Sequence, residues 1–278
     1  MSFSINSNYQ ASYANDQLTK AHNSWSDSLQ RISTGNKINS AADNASGLSI
    51  ADSLKSQALG MGQAIRNAND GISITAIADG ALGDVTDIIN TIKTKSIQAA
   101  NASQSGQSRQ AIQADIDKSL ESLDQITKTT SFNGQKLLSG FTNKSFQIGV
   151  NAGETINISI DSVESSKLGN GETTGSLSEI DVTTEEGAQM AMEIADQALQ
   201  QVDAIRSGIG SSQNQLASTI NNLETSRINA YSSESTIRDT DYAEESMILN
   251  KMDMLLQART FAAQQANISK KNMISLLT

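Results

Sequence analysis

The chain contains no proline and no cysteine, and aromatic residues make up only 4% of its 278 residues. A proline inside a helix removes a backbone donor and clashes with the preceding turn, so a chain without proline can form unusually long helices. The absence of cysteine excludes a disulfide framework, a zinc–thiolate site and a thiol nucleophile. Few aromatic residues argue against a thick globular core, because these side chains normally supply much of the buried area.

The charge and hydropathy patterns exclude further classes of protein. Thirty acidic residues stand against twenty basic ones, which disfavours nucleic acid as a partner. No stretch approaches 18 apolar residues, so we expect no membrane insertion. Residues 1–7 have neither a basic start nor an apolar run, and no cleaved secretory signal is expected there.

Both ends of the chain carry apolar residues at helical spacing. We expect Gly35 to cap the first helix, whose strip steps by three and four residues. Neither strip has another obvious partner in the sequence, so we expect the end helices to pack on each other and other copies of the chain to cover the remainder. The strips consist of Leu18, Ala21, Trp25, Leu29 and Ile32, and of Ile248, Met252, Leu255, Ala262, Ala266, Leu276 and Leu277.

Long helices are also expected between the two ends. Apolar residues at coiled-coil spacing, beginning at Ile50, predict a helix over about residues 45–100 that is on the order of 80 Å long. A return helix is expected from residue 112, and another long helix begins near residue 185. A compact domain has no room for such elements, so the pattern favours a mainly α chain of long coiled-coil helices.

The period changes in the middle of the chain. Apolar and polar residues alternate over residues 146–150 and 156–160, on either side of a turn, which predicts a β-hairpin. Phe132-Asn133-Gly134 is a second turn signal. Residues 161–184 are rich in Ser, Gly, Glu and Thr and have few apolar anchors, so we expect an exposed loop.

No group of residues forms a catalytic constellation. His22 is the only histidine, which excludes a His-Glu-x-x-His zinc site, and nothing in the sequence converges on it. The four acids in residues 239–245 lack the spacing of a calcium loop and are better explained as acids at a helix start. The glycines in residues 60–62 and 80–83 interrupt helical patterns and follow no strand, so they do not indicate phosphate loops. We expect a structural protein with no enzyme activity, cofactor or metal.

Several segments resemble the bacterial flagellin family. The family's N-terminal signature is similar to residues 29–35 (LQRISTG) and 38–51 (INSAADNASGLSIA), and its turn motif is similar to residues 130–138 (TSFNGQKLL). The C-terminal pattern resembles residues 237–245 (IRDTDYAEE) and 264–277. The resemblance therefore involves both ends of the chain.

The resemblance implies a division into four segments. Residues 1–44 would be the N-terminal inner-core helix and spoke, and residues 45–184 would hold the outer-core helices, the β-hairpins and a short exposed variable loop. Residues 185–234 would be the C-terminal outer-core helix, and residues 235–278 the C-terminal inner-core helix. In this family many copies polymerise into a hollow filament whose inner tube is built from the terminal helices.

The resemblance also implies a location and partners. Flagellins are exported unfolded through the flagellar type III apparatus and form the extracellular flagellum used for swimming motility. The expected partners are other copies of the chain, the filament cap, the hook-junction proteins and an export chaperone. In pattern the sequence is most similar to flagellins of the Campylobacter and Helicobacter group.

One functional segment of the family is altered here. In many flagellins a Gln-Arg-x-Arg-Glu-Leu segment is bound by an innate toll-like receptor. The matching stretch has Thr91 in place of the first Arg and Lys95 in place of the Leu, and Asp115 replaces the usual Glu on the return helix. A threonine cannot reproduce the planar fork of a guanidinium group. We therefore expect weak or absent receptor binding.

Two other functions compete with the filament subunit. A hook–filament junction protein shares the terminal helices but forms a ring of few copies, and the C-terminal segments favour a flagellin over it. A surface enzyme carried in the central region is the second alternative. An exposed loop of about 24 residues, 161–184, is too short to hold an active site.

Overall fold

A computed structural model describes residues 9–170 and 175–275, with side chains described as far as residue 268. It confirms a mainly α fold with long helices from both ends and small β-hairpins between them. None of the described helices is both long and apolar enough to cross a membrane. In chain order the elements are α1 (Tyr9–Thr34), α2 (Ala41–Ala99), α3 (Gly106–Thr129), β1 (Ser131–Phe132), β2 (Gln135–Lys136), β3 (Phe141–Gln147), β4 (Thr155–Ile160), a 3-10 turn at Leu177–Glu179, α4 (Glu185–Arg238) and α5 (Tyr242–Ser275).

The chain divides into two units, and each has its own packing. The terminal unit combines Met1–Gln57 with Ile228–Thr278, and the central unit is Ala58–Arg227. The long helix predicted over residues 45–100 is confirmed as α2. Asn44 departs from helical geometry with φ −165° and ψ 97°, so the regular part of α2 starts after it.

The central unit has a continuous apolar core between α2, α3 and α4. Salt bridges from Arg206 to Asp79 at 2.9 Å and from Lys93 to Asp196 at 2.5 Å link α2 and α4 along the outside of this core. The predicted apolar faces of these helices are confirmed for most of their members in the central unit, while Ile72, Ile126 and Ile205 are only partly buried. The fully buried large side chains of the three helices include Leu82, Ile89, Ile92, Ile116, Leu123, Ile209 and Leu216.

Both predicted hairpins are present in the central unit. Strands β1 and β2 flank Asn133 and Gly134, whose φ angles of 47° and 78° suit a tight two-residue turn. Strand β3 pairs antiparallel with β4, with a register shift between Phe141 and Lys144. The apolar residues of β4 face the core, as the alternation predicted, but β3 ends at Gln147, so Val150 lies in the turn and is exposed.

Two sequence predictions about burial are wrong. The described part of the loop at residues 161–184 has no strand or long helix, but it does have apolar anchors. It lies over the core because its apolar residues, though widely spaced, all point inward. The anchors are Val163, Leu168, Leu177, Ile180 and Val182. Ile50 was placed on the apolar face of α2, yet 53% of its side chain is exposed.

Candidate interaction surface

Helices α1 and α5 pack against each other in the terminal unit, which confirms the predicted pairing of the two ends. They run antiparallel, because Gln17 on α1 accepts a hydrogen bond from Arg259 at 2.8 Å while Ser28, further along α1, bonds to Glu245 near the start of α5. The buried residues of this pair are small or polar. They are Ala11, Ala21 and Ser28 on α1, and Glu245 and Ala263 on α5.

The predicted strip residues take three different positions. Leu18, Trp25 and Ile32 on α1 are half-buried, as are Ile248, Met252 and Leu255 on α5. Leu29 is 38% exposed and Ala262 is exposed, whereas the neighbouring Ala263 is buried. Leu276 and Leu277 lie outside the described residues. The pair therefore buries only part of the apolar surface of its two helices.

A buried hydrogen bond joins the two helices at one end of the pair. The Ser28 hydroxyl donates to the Glu245 carboxylate at 2.5 Å, and the Arg31 guanidinium lies 3.9 Å from the same oxygen. Buried polar groups of this kind favour a single alignment of packed helices, because sliding one helix would leave them without partners. Sequence reasoning placed Glu245 among acids at a helix start and missed this contact, which only the antiparallel alignment brings together.

The turns that precede α2 and α5 pair with each other. The amide of Lys37 donates to the carbonyl of Arg238 at 2.6 Å, and the amide of Thr240 donates to the carbonyl of Gly35 at 2.9 Å. Gly35 ends α1 with φ +73°, as expected of a C-terminal cap, and a Cβ there would meet the Tyr242 hydroxyl at 3.3 Å. Two signature segments from opposite ends of the chain thus form one structural element.

The rest of the N-terminal signature organises the start of α2. The Asp43 carboxylate accepts hydrogen bonds from the amides of Ser40 and Asn39 at 2.9 and 3.1 Å, and these bonds lower the pKa of Asp43. The Asn44 side chain caps the helix by accepting from the amide of Gly47 at 2.9 Å. Any side chain at Gly47 would collide with Ile38, whose Cδ1 lies 2.8 Å from the position of a Cβ.

One face of α5 carries large apolar side chains that the described residues leave exposed. Met247, Met254, Phe261 and Ile268 are spaced by seven residues and are 67, 65, 70 and 49% exposed. A seven-residue period keeps side chains on one side of a helix, with a drift of only about 20° per repeat. We refer to these four residues as the exposed α5 face. This repeat was not predicted from the sequence, because α5 also carries a second apolar strip, the one that faces α1.

An apolar groove runs along another side of the same pair. Leu18, Thr19 and His22 from α1 and Leu256 and Thr260 from α5 line a space of about 460 Å³. We refer to the space lined by these five residues as the α1–α5 groove. Because it combines apolar side chains from both helices, the groove exists only when the two helices are paired.

The residues considered for catalysis, metal binding or phosphate binding have structural roles. His22 is exposed, with its ring 6.1 Å from that of Trp25. Asp241 caps α5 by accepting from the amide of Ala243 at 2.8 Å, so the explanation of these acids by a helix start is confirmed for Asp241. The glycines at 60–62 and 80–83 lie inside α2. Within the described part of the chain no group of three or more His, Asp or Glu residues is arranged to hold a metal ion.

The segment that corresponds to the receptor-binding stretch lies on α2 in the central unit. Thr91 is exposed, and its hydroxyl donates to the carbonyl of Asp87 at 2.9 Å. Lys95 forms a salt bridge of 2.8 Å with Asp115 on α3, and this hydrogen bond lowers the pKa of Asp115. The opposite charges of Lys95 and Asp115 thus neutralise each other in this salt bridge.

Paired terminal helices whose large apolar side chains stay exposed are typical of a self-associating structural protein. Comparisons with known proteins agree. The model of the bacterial flagellin N-terminal helical region matches residues 5–143, and that of the C-terminal helical region matches residues 192–277. Flagellin B of Vibrio cholerae is 31% identical in an alignment of 375 positions, gaps included, that covers all of both chains. A flagellin of Halalkalibacterium halodurans is 33% identical over 98% of this chain and 99% of its own.

The chain belongs to the bacterial flagellin family. It is a subunit of the extracellular flagellar filament, a structural protein of motility and not an enzyme, and self-assembly follows from that function. Among solved structures, Bacillus cereus flagellin is similar over 57% of this chain and 88% of its own, with 23% identity and a TM-score of 0.48.

Proposed function

We propose that the terminal unit is the part of this flagellin that contacts neighbouring subunits. The observation that carries the proposal is its pattern of burial. Hydrophobic residues fully buried in the terminal unit are almost all alanines, while most of the large exposed apolar side chains of the described residues belong to it. Exposed apolar faces of this extent mark protein–protein contacts. The contact residues we propose are Leu18, Trp25, Leu29, Ile32, Ile248, Met252, Leu255, Ala262, Leu276 and Leu277.

The division into four segments is part of the same proposal. Residues 1–44 and 235–278 would form the inner core of the filament, and residues 45–184 and 185–234 the outer core. The pairing of α1 with α5 supports this division for the inner core. The continuous core shared by α2, α3 and α4 supports it for the outer core.

A matched pair of variants tests the proposal. Met254 is 65% exposed on α5 and Met190 is 56% exposed on α4 in the central unit. Met254→Lys should prevent filament growth, because it places a charge in a contact between subunits, whereas Met190→Lys should assemble normally. Electron microscopy of both variants measures the length and yield of the filaments and so tests the proposal. Normal filaments from Met254→Lys would contradict the proposal, provided that circular dichroism shows both variants folded.

We further propose that the filament cap, the hook-junction proteins and an export chaperone are the other partners. The support is the family resemblance of both ends of the chain, which is where the flagellar proteins share helices. Pull-down of each partner with the full chain and with a chain lacking residues 235–278 tests this proposal. We expect the truncated chain to lose the chaperone.

We propose that activation of the innate toll-like receptor is weak or absent. The support lies in Thr91, which offers no charge, and in Lys95 and Asp115, which neutralise each other. Potent signalling in a reporter-cell assay with purified subunits would contradict this proposal. We also propose a likeness to flagellins of the Campylobacter and Helicobacter group, supported by the same altered segment and by residues 141–146 (FTNKSF).

A further inference from the structure

The exposed α5 face and the α1–α5 groove are complementary in chemistry. Two of the residues lining the groove are threonines whose hydroxyls are already satisfied inside their own helices. Thr19 donates to the carbonyl of Asn15 at 3.0 Å, and Thr260 donates to the carbonyl of Leu256 at 2.7 Å. Neither hydroxyl therefore needs a partner from a molecule that occupies the groove. Its volume of about 460 Å³ lies in the range of sites that hold small organic ligands, so an aromatic ring fits inside it.

A subunit cannot fill its own groove with its own exposed face. Leu256 lines the groove, and Phe261 lies five residues further along the same helix, which turns it by about 140° around the helix axis. The two surfaces thus point in different directions. A contact that joins two different surfaces of identical subunits is heterologous, and heterologous contacts that do not close into a ring produce open helical polymers.

We propose that Phe261 of one subunit inserts into the α1–α5 groove of a neighbouring subunit, with Met254 and Ile268 packing on either side of the groove. The occupant is a second copy of this chain, because the filament brings copies together and Phe261, at 70%, is the most exposed of the large apolar side chains described on α5. The inference rests on the proposed role of the terminal unit in subunit contacts and specifies the pair of surfaces. A seven-residue spacing is typical of side chains that pack, as knobs into holes, between residues of a facing helix.

Photo-crosslinking tests the pairing in assembled filaments. The photoreactive aromatic residue p-benzoylphenylalanine replaces Phe261, and the variant is copolymerised with isotopically heavy unsubstituted subunits. Irradiation should join light peptides containing position 261 to heavy peptides containing residues 18–22 or 256–260. The same residue at position 190, the control, should give no crosslinks to those peptides. Filaments whose crosslinks from position 261 lead elsewhere would overturn the pairing while leaving the role of the terminal unit intact.

A second pair of variants keeps the proposal testable if the photoreactive residue is not incorporated. His22→Trp fills the groove with a large ring at an exposed position, and His22→Gln alters the same position without filling it. We expect at least a tenfold rise in the subunit concentration needed for growth with His22→Trp, and none with His22→Gln. Equal growth of the two variants would overturn the proposal. If Met254→Lys also assembled normally, the role of the terminal unit would fail as well.

Discussion

The two units of this flagellin subunit use their apolar residues in opposite ways. In the central unit many large apolar side chains of α2, α3 and α4, such as Leu82, Ile116 and Leu216, are fully buried in one core. In the terminal unit the fully buried hydrophobic residues are small, apart from Ile38, and side chains as large as Phe261 and Met254 remain exposed. Burial of one large apolar side chain contributes roughly 1.5–3 kcal/mol. The central unit is therefore stabilised within one chain, and we propose that the terminal unit depends on contacts with other chains.

This difference predicts the largest single-residue effect in the central core. Leu123→Ala on α3 should lower the free energy of unfolding of the central unit by about 2–5 kcal/mol, because it leaves a cavity in a packed core. Leu29→Ala on α1 is the matched control and should change the unfolding of the isolated subunit by much less, since Leu29 is 38% exposed. Chemical denaturation of both variants measures the two effects. Equal losses would contradict the comparison.

The next effect concerns the buried hydrogen bond between α1 and α5. Glu245→Ala removes the acceptor of the Ser28 hydroxyl and should destabilise the helix pair by about 1–3 kcal/mol. Glu244→Ala, at the neighbouring exposed position, is the control. Thermal depolymerisation of filaments provides the readout, and a lower midpoint is expected for Glu245→Ala alone. Identical midpoints would show that this contact does not hold the pair together.

A smaller effect is expected from two glycines in α2. Gly47→Ala should cost about 1–3 kcal/mol, because the added methyl group meets Ile38 and Asn44 in the terminal unit. Gly80→Ala should instead stabilise α2 by up to about 1 kcal/mol, since nothing lies near that position within the subunit and alanine favours helix. Opposite signs in urea unfolding of the two variants are the expected result. A shift of the same sign would mean that the close approach at Gly47 is not a constraint.

The smallest effect is the pH dependence contributed by Asp43. Its pKa is lowered in the folded chain by the amides of Ser40 and Asn39. The carboxylate therefore stabilises the fold above its unfolded pKa of about 3.9, and this contribution is lost as the pH falls through the lower, folded value. Asp43→Asn should flatten the acid side of the stability profile measured by chemical denaturation at several pH values. An unchanged acid slope in Asp43→Asn would refute this role.

Much of the fold could be predicted because single helices and turns are encoded locally. The apolar period gave the bounds of α2 to within a few residues, Gly35 predicted the end of α1, and Asn133-Gly134 predicted the first hairpin turn. Flagellin signatures at both ends predicted the function. Each of these features depends on residues close together in the chain.

The features that were missed depend on residues far apart in the chain. Widely spaced apolar residues anchor residues 161–184, and their burial requires the core beneath them, which no local pattern describes. The contact of Ser28 with Glu245 requires the antiparallel alignment of α1 with α5. The exposed α5 face is visible in the sequence as a seven-residue repeat. However, α5 carries two apolar strips, and the prediction rested on the strip that faces α1.

Hydrogen exchange of the full chain before and after assembly tests the central claim most directly. We expect the amides of α3 between Ile112 and Thr127 to be protected already in the isolated subunit, because their unit has a complete core. The amides of α1 and of α5 up to Ile268 should exchange rapidly in the isolated subunit and become strongly protected in the filament. Equal protection of α1 and α5 before and after assembly would contradict the claim that the terminal unit depends on neighbouring subunits.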